Sequence, residues 1–120
     1  MSDRLWNRIE ELNWASDHDF DRVEEYIKNR YSFSSARELA EFADSKVIEL
    51  CQKYEDAWLG VPGIACSDDS WSDLAYEVVG RGREFFETIT ASKLREMANT
   101  NDYHESFGYC FVFLYYKQEK

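Results

Sequence analysis

The chain has 120 residues with 14 Lys and Arg against 24 Asp and Glu, a formal net charge of −10; hydrophobic residues make up 44% and aromatics 17%. That size and composition suit one domain, residues 1–120, able to bury its own core without disulfides or metal, and they exclude extensive disorder. The acidity runs through the chain, 14 acids to 8 bases in residues 1–60 and 10 to 6 in 61–120; phosphate backbones and anionic membrane surfaces would repel it, so no nucleic acid and no membrane is expected as a partner.

One proline and five glycines interrupt the chain, which favours helices. Ser2 can cap a first helix over about 3–15, with Leu5, Ile9 and Leu12 as its apolar stripe and Trp6 beside it. "SDHD" breaks it, and Asp17 or Asp19 can cap a second helix to about Asn29, where Phe20, Val23 and Ile27 recur at helical spacing. "SARE" at Ser35–Glu38 reads as a capping box. From there Leu39, Ala43, Val47, Leu50, Tyr54 and Ala57 continue one stripe over about 35–59, widened by Phe42, Ile48 and Cys51, so this helix is expected to be central. Gly60 and Pro62 should end it. Ser67 or Ser70 can cap a fourth helix with Trp71, Leu74, Ala75 and Val78 on its buried face. "GRG" at Gly80–Gly82 predicts a bend, Arg83–Thr90 a short helix with Phe85, Phe86 and Ile89, and Ser92–Thr100 a further turn or two through Leu94 and Met97. The tail "FGYCFVFLYY" fits either a strand or a helix with Phe107, Phe111 and Leu114 on one face. No partner strand is evident, so helix is preferred. The fold expected is all-α: a single domain of five or six helices around the long third one.

Three scattered cysteines, Cys51, Cys66 and Cys110, offer no disulfide framework and no C-x-x-C pair. With only two histidines no metal site is expected, no cofactor is implied, and the odd cysteine count suits the cytoplasm. The opening "MSDRLWNRIEEL" has no secretory pattern, and no apolar run reaches the ~20 residues that span a bilayer.

The stretch with the most chemistry is "GIACSDDSW", Gly63–Trp71. As structure, Ser67 and Asp68 precede a helix whose free N–H groups they can satisfy, and Asp68, Asp69 and Asp73 favour the positive end of its dipole. As a site, Asp68 and Asp69 could share a proton or hold a cation, with Glu77 or Glu105 as further oxygen donors. Adjacent carboxylates seldom converge, however. A Cys66 nucleophile would need His18 or His104. A polar binding site would pair Asp68 or Asp69 with Arg81 or Arg83 folding back. No catalytic residue is assigned.

A second candidate is the acidic stretch Glu10–Glu25, seven acids to one arginine. Trp6, Trp58 and Trp71 fall on apolar faces and should pack. Trp14 sits at a helix end and is expected to be exposed. With Asp17, Asp19, Asp21 and Glu24 around it and Phe20 nearby, it would anchor a negative interface, the combination that steers and holds protein partners.

The central segment "GIACSDDSWSDLAYEVVGRGREFFETI", Gly63–Ile89, resembles a bacterial family described as domain of unknown function 4240. The elements in common are Cys66–Asp69, the aromatic-containing helix Trp71–Val79, and the Gly82–Phe86 bend with its aromatics. "WNRIEE", Trp6–Glu11, is similar to the family's opening helix. "ESFGY", Glu105–Tyr109, is similar to its closing segment, which supports a helical tail. Ser70 and Trp71 stand where the family has Gly and Phe, and Leu74-Ala75 where it has Phe-Arg. The resemblance implies a small bacterial cytoplasmic protein and no activity.

Together these features lead to the expectation of a protein-binding module of the immunity or antitoxin type, masking a basic toxin. The alternatives are an enzyme-like domain binding a ligand or metal through the Ser-Asp-Asp segment, and a homodimer that buries its aromatic tail.

Overall fold

The computed structural model describes residues 2–54, 68–100, 102–103, 107–111 and 114, and among these every regular element is helical. The element order is α1 (Ser2–Glu11), α2 (Trp14–Asp17), α3 (Phe20–Arg30), α4 (Phe33–Lys53), α5 (Asp68–Gly80), α6 (Arg83–Thr88), α7 (Ala91–Asn99) and a 3-10 helix (Phe107–Phe111). The all-α, single-domain expectation holds. Six α-helices have at least six residues, and α2 is a single turn of 4 residues.

The first helix is shorter than expected. Its apolar stripe delivers Trp6, Ile9 and Leu12 to the core, but α1 stops at Glu11. Asn13 takes a left-handed conformation (φ 52°), one that Asn tolerates better than most residues, and turns the chain. One helical turn later His18 does the same (φ 53°), its N–H donating to Trp14 O at 2.8 Å. The two left-handed residues bracket α2 and throw Trp14 inward. Arg22 clasps this corner from α3: its guanidinium donates to Leu12 O, Asn13 O and the Asp17 carboxylate at 2.8–3.2 Å.

Of the two caps offered to α3, Asp19 serves, its carboxylate accepting from the N–H groups of Asp21 and Arg22. Val23 and Ile27 are buried, while Phe20 at the helix start remains 37% exposed. For α4 the cap is Ser32, whose Oγ accepts from Ser35 N. The expected capping box at Ser35–Glu38 is thus displaced by one turn, and Glu38 instead takes two hydrogen bonds from Arg4 on α1. Leu39, Ala43, Val47 and Leu50 form the buried stripe with Ala36 and Ala40. Ile48, expected to widen it, points outward at 56% exposure. The helix ends at Lys53, with Tyr54 as its C-cap and the Tyr54 hydroxyl donating to Ile89 O at 2.7 Å. The stop proposed at Gly60 and Pro62, the stripe position Ala57, and Trp58 lie outside the described residues.

The core is one continuous cluster. α4 packs against α5 and α1, and the 3-10 helix closes over α3 and α5. Trp6 of α1 meets Phe42 of α4 edge-on at 5.3 Å and Phe86 of α6 at 5.3 Å. At the α5–α6 bend, Gly82 has φ 106°, a region that a residue with a Cβ seldom enters. Gly82 offers no side chain to cap α6, and the cap comes from across the fold: Glu10 of α1 accepts from Arg83 N at 3.0 Å. Thr90 caps α7 through Lys93 N, and Leu94 and Met97 are buried as expected. In the tail, Phe107, Cys110, Phe111 and Leu114 are all buried, and the helical preference there is met by the tighter 3-10 form.

Candidate functional site

The densest polar constellation among the described residues is centred on Glu77, a carboxylate with 0% exposure in the middle of α5. The apolar positions Leu74 and Val78 place this face of α5 inward, and Glu77 shares it. An isolated buried carboxylate would be costly, so its oxygens must be satisfied. The Trp14 indole donates to Oε1 at 3.0 Å. Arg81, one turn along the same helix, donates through Nε to Oε2 at 2.9 Å, and His18 Nε2 lies 2.8 Å from the same oxygen. Arg81 then extends the network through Nη2 to the carbonyl and carboxylate of Asp102, at 3.1 and 3.0 Å. Its guanidinium also lies 5.1 Å from the centre of the Phe85 ring.

Aromatic rings pack around the Glu77 end of the cluster. Trp14 meets the His18 ring edge-on at 5.2 Å and the Phe107 ring at 5.4 Å. Gly80 lets both rings come close: a Cβ there would stand 2.7 Å from Trp14 Cδ1 and 3.2 Å from Phe107. Burial raises the cost of ionising Glu77, but the hydrogen bonds from Arg81, Trp14 and His18 outweigh it and hold the carboxyl below its ordinary value. An ionised carboxylate with both oxygens engaged by donors is poorly placed to take a proton or coordinate a ligand. Its chemistry is that of a clamp, joining α2, α5 and the segment after α7.

This arrangement redraws the site expected from sequence. Trp14 is not an exposed anchor; it is fully buried, because its N–H has a buried acceptor in Glu77. Asp68 and Asp69 open α5, as a helix-start reading requires, with Trp71 in the same first turn. Ser67, Cys66, His104 and Glu105 lie outside the described residues, as do the side chains of Asp68, Asp69 and Trp71. The arginines expected to fold back onto Asp68 or Asp69 have other partners among the described residues. α5 has 13 residues, so its two ends are about 18 Å apart, and Arg81 and Arg83 follow the far end. Arg81 engages Glu77 and Asp102; Arg83 engages Glu87 at 3.0 Å and also Asp3.

Nor is the acidic stretch all free charge. Asp17 pairs with Arg22 at 2.8 Å, Asp19 caps α3, Glu10 caps α6, and Glu24 lies 3.7 Å from Lys28. The Arg22 hydrogen bond, helped by the Asp19 N–H, draws the Asp17 carboxyl below its usual range. Asp21 and Glu25 are left on the exposed outer side of α3 with Phe20 at its start. Among the described residues no group of three or more His, Cys, Asp and Glu is placed to hold a metal ion, and no helix is long and apolar enough to cross a membrane.

The Glu77 cluster was legible in part. An acid flanked by Leu74, Ala75 and Val78, with an arginine at i+4, signals a buried ion pair on a core-facing helix. Its partners Trp14 and His18 lie 63 and 59 residues away, and no local pattern joins them to it.

The fold and this clamp define a compact all-α domain whose best-formed polar centre is internal. Protein of unknown function (DUF4240) is the family whose profile it matches, over residues 1–115, and the chain belongs to that family. No curated protein and no solved structure matches it.

Proposed function

We propose that this protein is a bacterial, cytoplasmic protein-binding module of the immunity or antitoxin type, presenting an acidic face to a basic partner. The observation that carries the reading is the outer side of α3. Phe20 is 37% exposed there, Asp21 and Glu25 are exposed on the same helix, and Glu24, 3.7 Å from Lys28, lies one turn from Phe20. An apolar contact accompanied by an excess of one charge sign speeds encounter with an oppositely charged protein and then helps hold it. The net charge of −10 extends the same field over the whole domain. The internal use of Glu77, His18 and Arg81 also supports a binding role over a catalytic one.

The test pairs binding with neutralisation. The tagged protein is used to capture partners from its own bacterium at low and moderate salt, and a captured basic protein is then assayed for toxicity with and without it. A stoichiometric complex weakened by salt, neutralised by the wild type and spared by Phe20→Ser/Asp21→Lys/Glu25→Lys, is the expected result. A complex indifferent to that triple variant, or no basic partner at all, overturns the reading.

A further inference from the structure

Where α1 meets the end of α3 and the start of α4, one arginine is short of partners. The Arg8 side chain is only 25% exposed, and its Nη1 is buried with no hydrogen-bond acceptor. Glu38 Oε1 of α4 stands 3.8 Å from that nitrogen, an ion pair too long to be a hydrogen bond. The Tyr31 ring centre lies 5.1 Å from the guanidinium carbon. Buried donors are nearly always satisfied, so an orphan of this kind needs an explanation. The nearest acceptor is already engaged: Glu38 takes hydrogen bonds from Arg4 Nη1 and Nη2 at 3.2 and 3.0 Å.

The charges around this corner do not cancel. Arg4 and Arg8 share the one carboxylate of Glu38. Arg30 stands beside the Tyr31 hydroxyl, which donates to Glu11 at 3.3 Å; Arg30 has no ion pair of its own among the described residues. Arg37 is closed by Glu41 at 3.3 Å and Lys28 by Glu24 at 3.7 Å. The arginines Arg4, Arg8 and Arg30 thus face only Glu38 and Glu11, and one positive charge is left over in a protein whose net charge is −10.

We propose that Arg8 binds a carboxylate from outside the chain. The single surplus charge matches one singly charged acid, and a carboxylate offers two oxygens that a guanidinium can engage side by side. Glu38 is 46% exposed, so it has room to turn fully toward Arg4, and a visiting acid then replaces it at Arg8 without breaking the Arg4 pair. The Tyr31 ring braces the guanidinium meanwhile. The same chemistry comes from a free short-chain acid and from an aspartate or glutamate side chain of another polypeptide.

Acetate is the first probe, read by the arginine Nε–Hε and backbone amide resonances of isotope-labelled protein, with chloride titrated in parallel at equal ionic strength. Saturable shifts at Arg8 and Tyr31 are expected, with a Kd on the order of 10 mM for so small an acid. Arg8→Lys, followed at Tyr31, should weaken binding at least about fivefold, because an ammonium has no bidentate edge. Glu38→Gln removes the internal competitor and should tighten binding by a similar factor; as an exposed position it leaves the fold in place. Phosphate, largely a dianion above neutral pH, should bind no more tightly than acetate. Aspartate blocked at both ends as its N-acetyl N-methylamide separates the two sources: tighter binding than acetate assigns the site to a polypeptide side chain, and equal or weaker binding assigns it to a free acid. Shifts matched by chloride, binding unchanged in Arg8→Lys, binding not strengthened in Glu38→Gln, or a preference for phosphate would each overturn the proposal. None of these residues belongs to the acidic start of α3, so the result is blind to whether that face binds a protein.

Discussion

Replacing Glu77 by Gln should weaken the fold more than any other change of a single atom among the described residues. The shape is preserved, and a side-chain oxygen remains to accept from the Trp14 indole, now 3.0 Å away. What disappears is the negative charge opposite Arg81, whose side chain is only 17% exposed, and beside His18. Removing one member of a buried pair costs about 3–5 kcal/mol. Here Arg81 keeps Asp102 at 3.0 Å, and the indole bond survives, so the expected loss is about 2–3 kcal/mol. For a domain of this size that corresponds to a fall in Tm of about 10 °C. Urea unfolding followed by far-ultraviolet circular dichroism measures it, with an unchanged m-value showing that the surface exposed on unfolding is the same. Combining Glu77→Gln with Arg81→Met should cost less than the sum of the two single changes, since each removes the other's stranded charge. A loss below about 0.5 kcal/mol for Glu77→Gln, or strict additivity in the double variant, would refute the view that this carboxylate clamps the fold.

Three further outcomes are expected. The Glu77 carboxyl lies below its ordinary value in the folded protein, so its contribution is fully present above the unfolded-state value of about 4.3 and is lost as pH falls through the folded one; the stability gap between wild type and Glu77→Gln should therefore narrow on acidification below about pH 4, whereas a gap constant from neutral to acid pH would contradict the assignment. Gly80→Ala would gain at most about 1 kcal/mol of helix propensity, but its Cβ meets Trp14 Cδ1 at 2.7 Å on a ring tethered to Glu77. Overpacking of about 1–3 kcal/mol should win, so thermal melts should show net destabilisation and the Trp14 indole resonance should move. The Cys110 thiol, pushed up to about 12 by burial and by the nearby Glu24, should resist alkylation at pH 8 in the native state and react only on unfolding, as read by peptide mass spectrometry.

How far the sequence announces this structure depends on the range of the interaction. The stripe Leu39, Ala43, Val47 and Leu50 is visible because its members are neighbours on one helix, and burial follows from spacing alone. Ile48 fits the same periodicity loosely and ends up exposed, since a widened stripe needs a second neighbour to cover it. Asn13 and His18 are harder. Nothing local forces a left-handed residue at either place, and a continuous helix to residue 15 satisfies the same propensities. What selects the break is Trp14 reaching Glu77, a contact made only in the assembled fold. The acidic stretch misleads for a related reason: Glu10, Asp17 and Asp19 read as free charge until the amides and arginine they serve are seen in place.

The meeting of Trp14 with Phe107 has a bearing on how the protein is made. Synthesis delivers Trp14 and His18 early, their acceptor Glu77 much later, and the Phe107 ring that covers the indole later still. Until that last aromatic turn emerges, α2 has no cover and the inward side of α5 stays open to water. Helices α1, α3 and α4 can associate on a nascent chain, but the clamp cannot shut. Closure of the clamp thereby waits for Phe107, and a ribosome stalled before codon 107 would hold a chain with the Trp14 indole and the charged Glu77 carboxylate still unhoused.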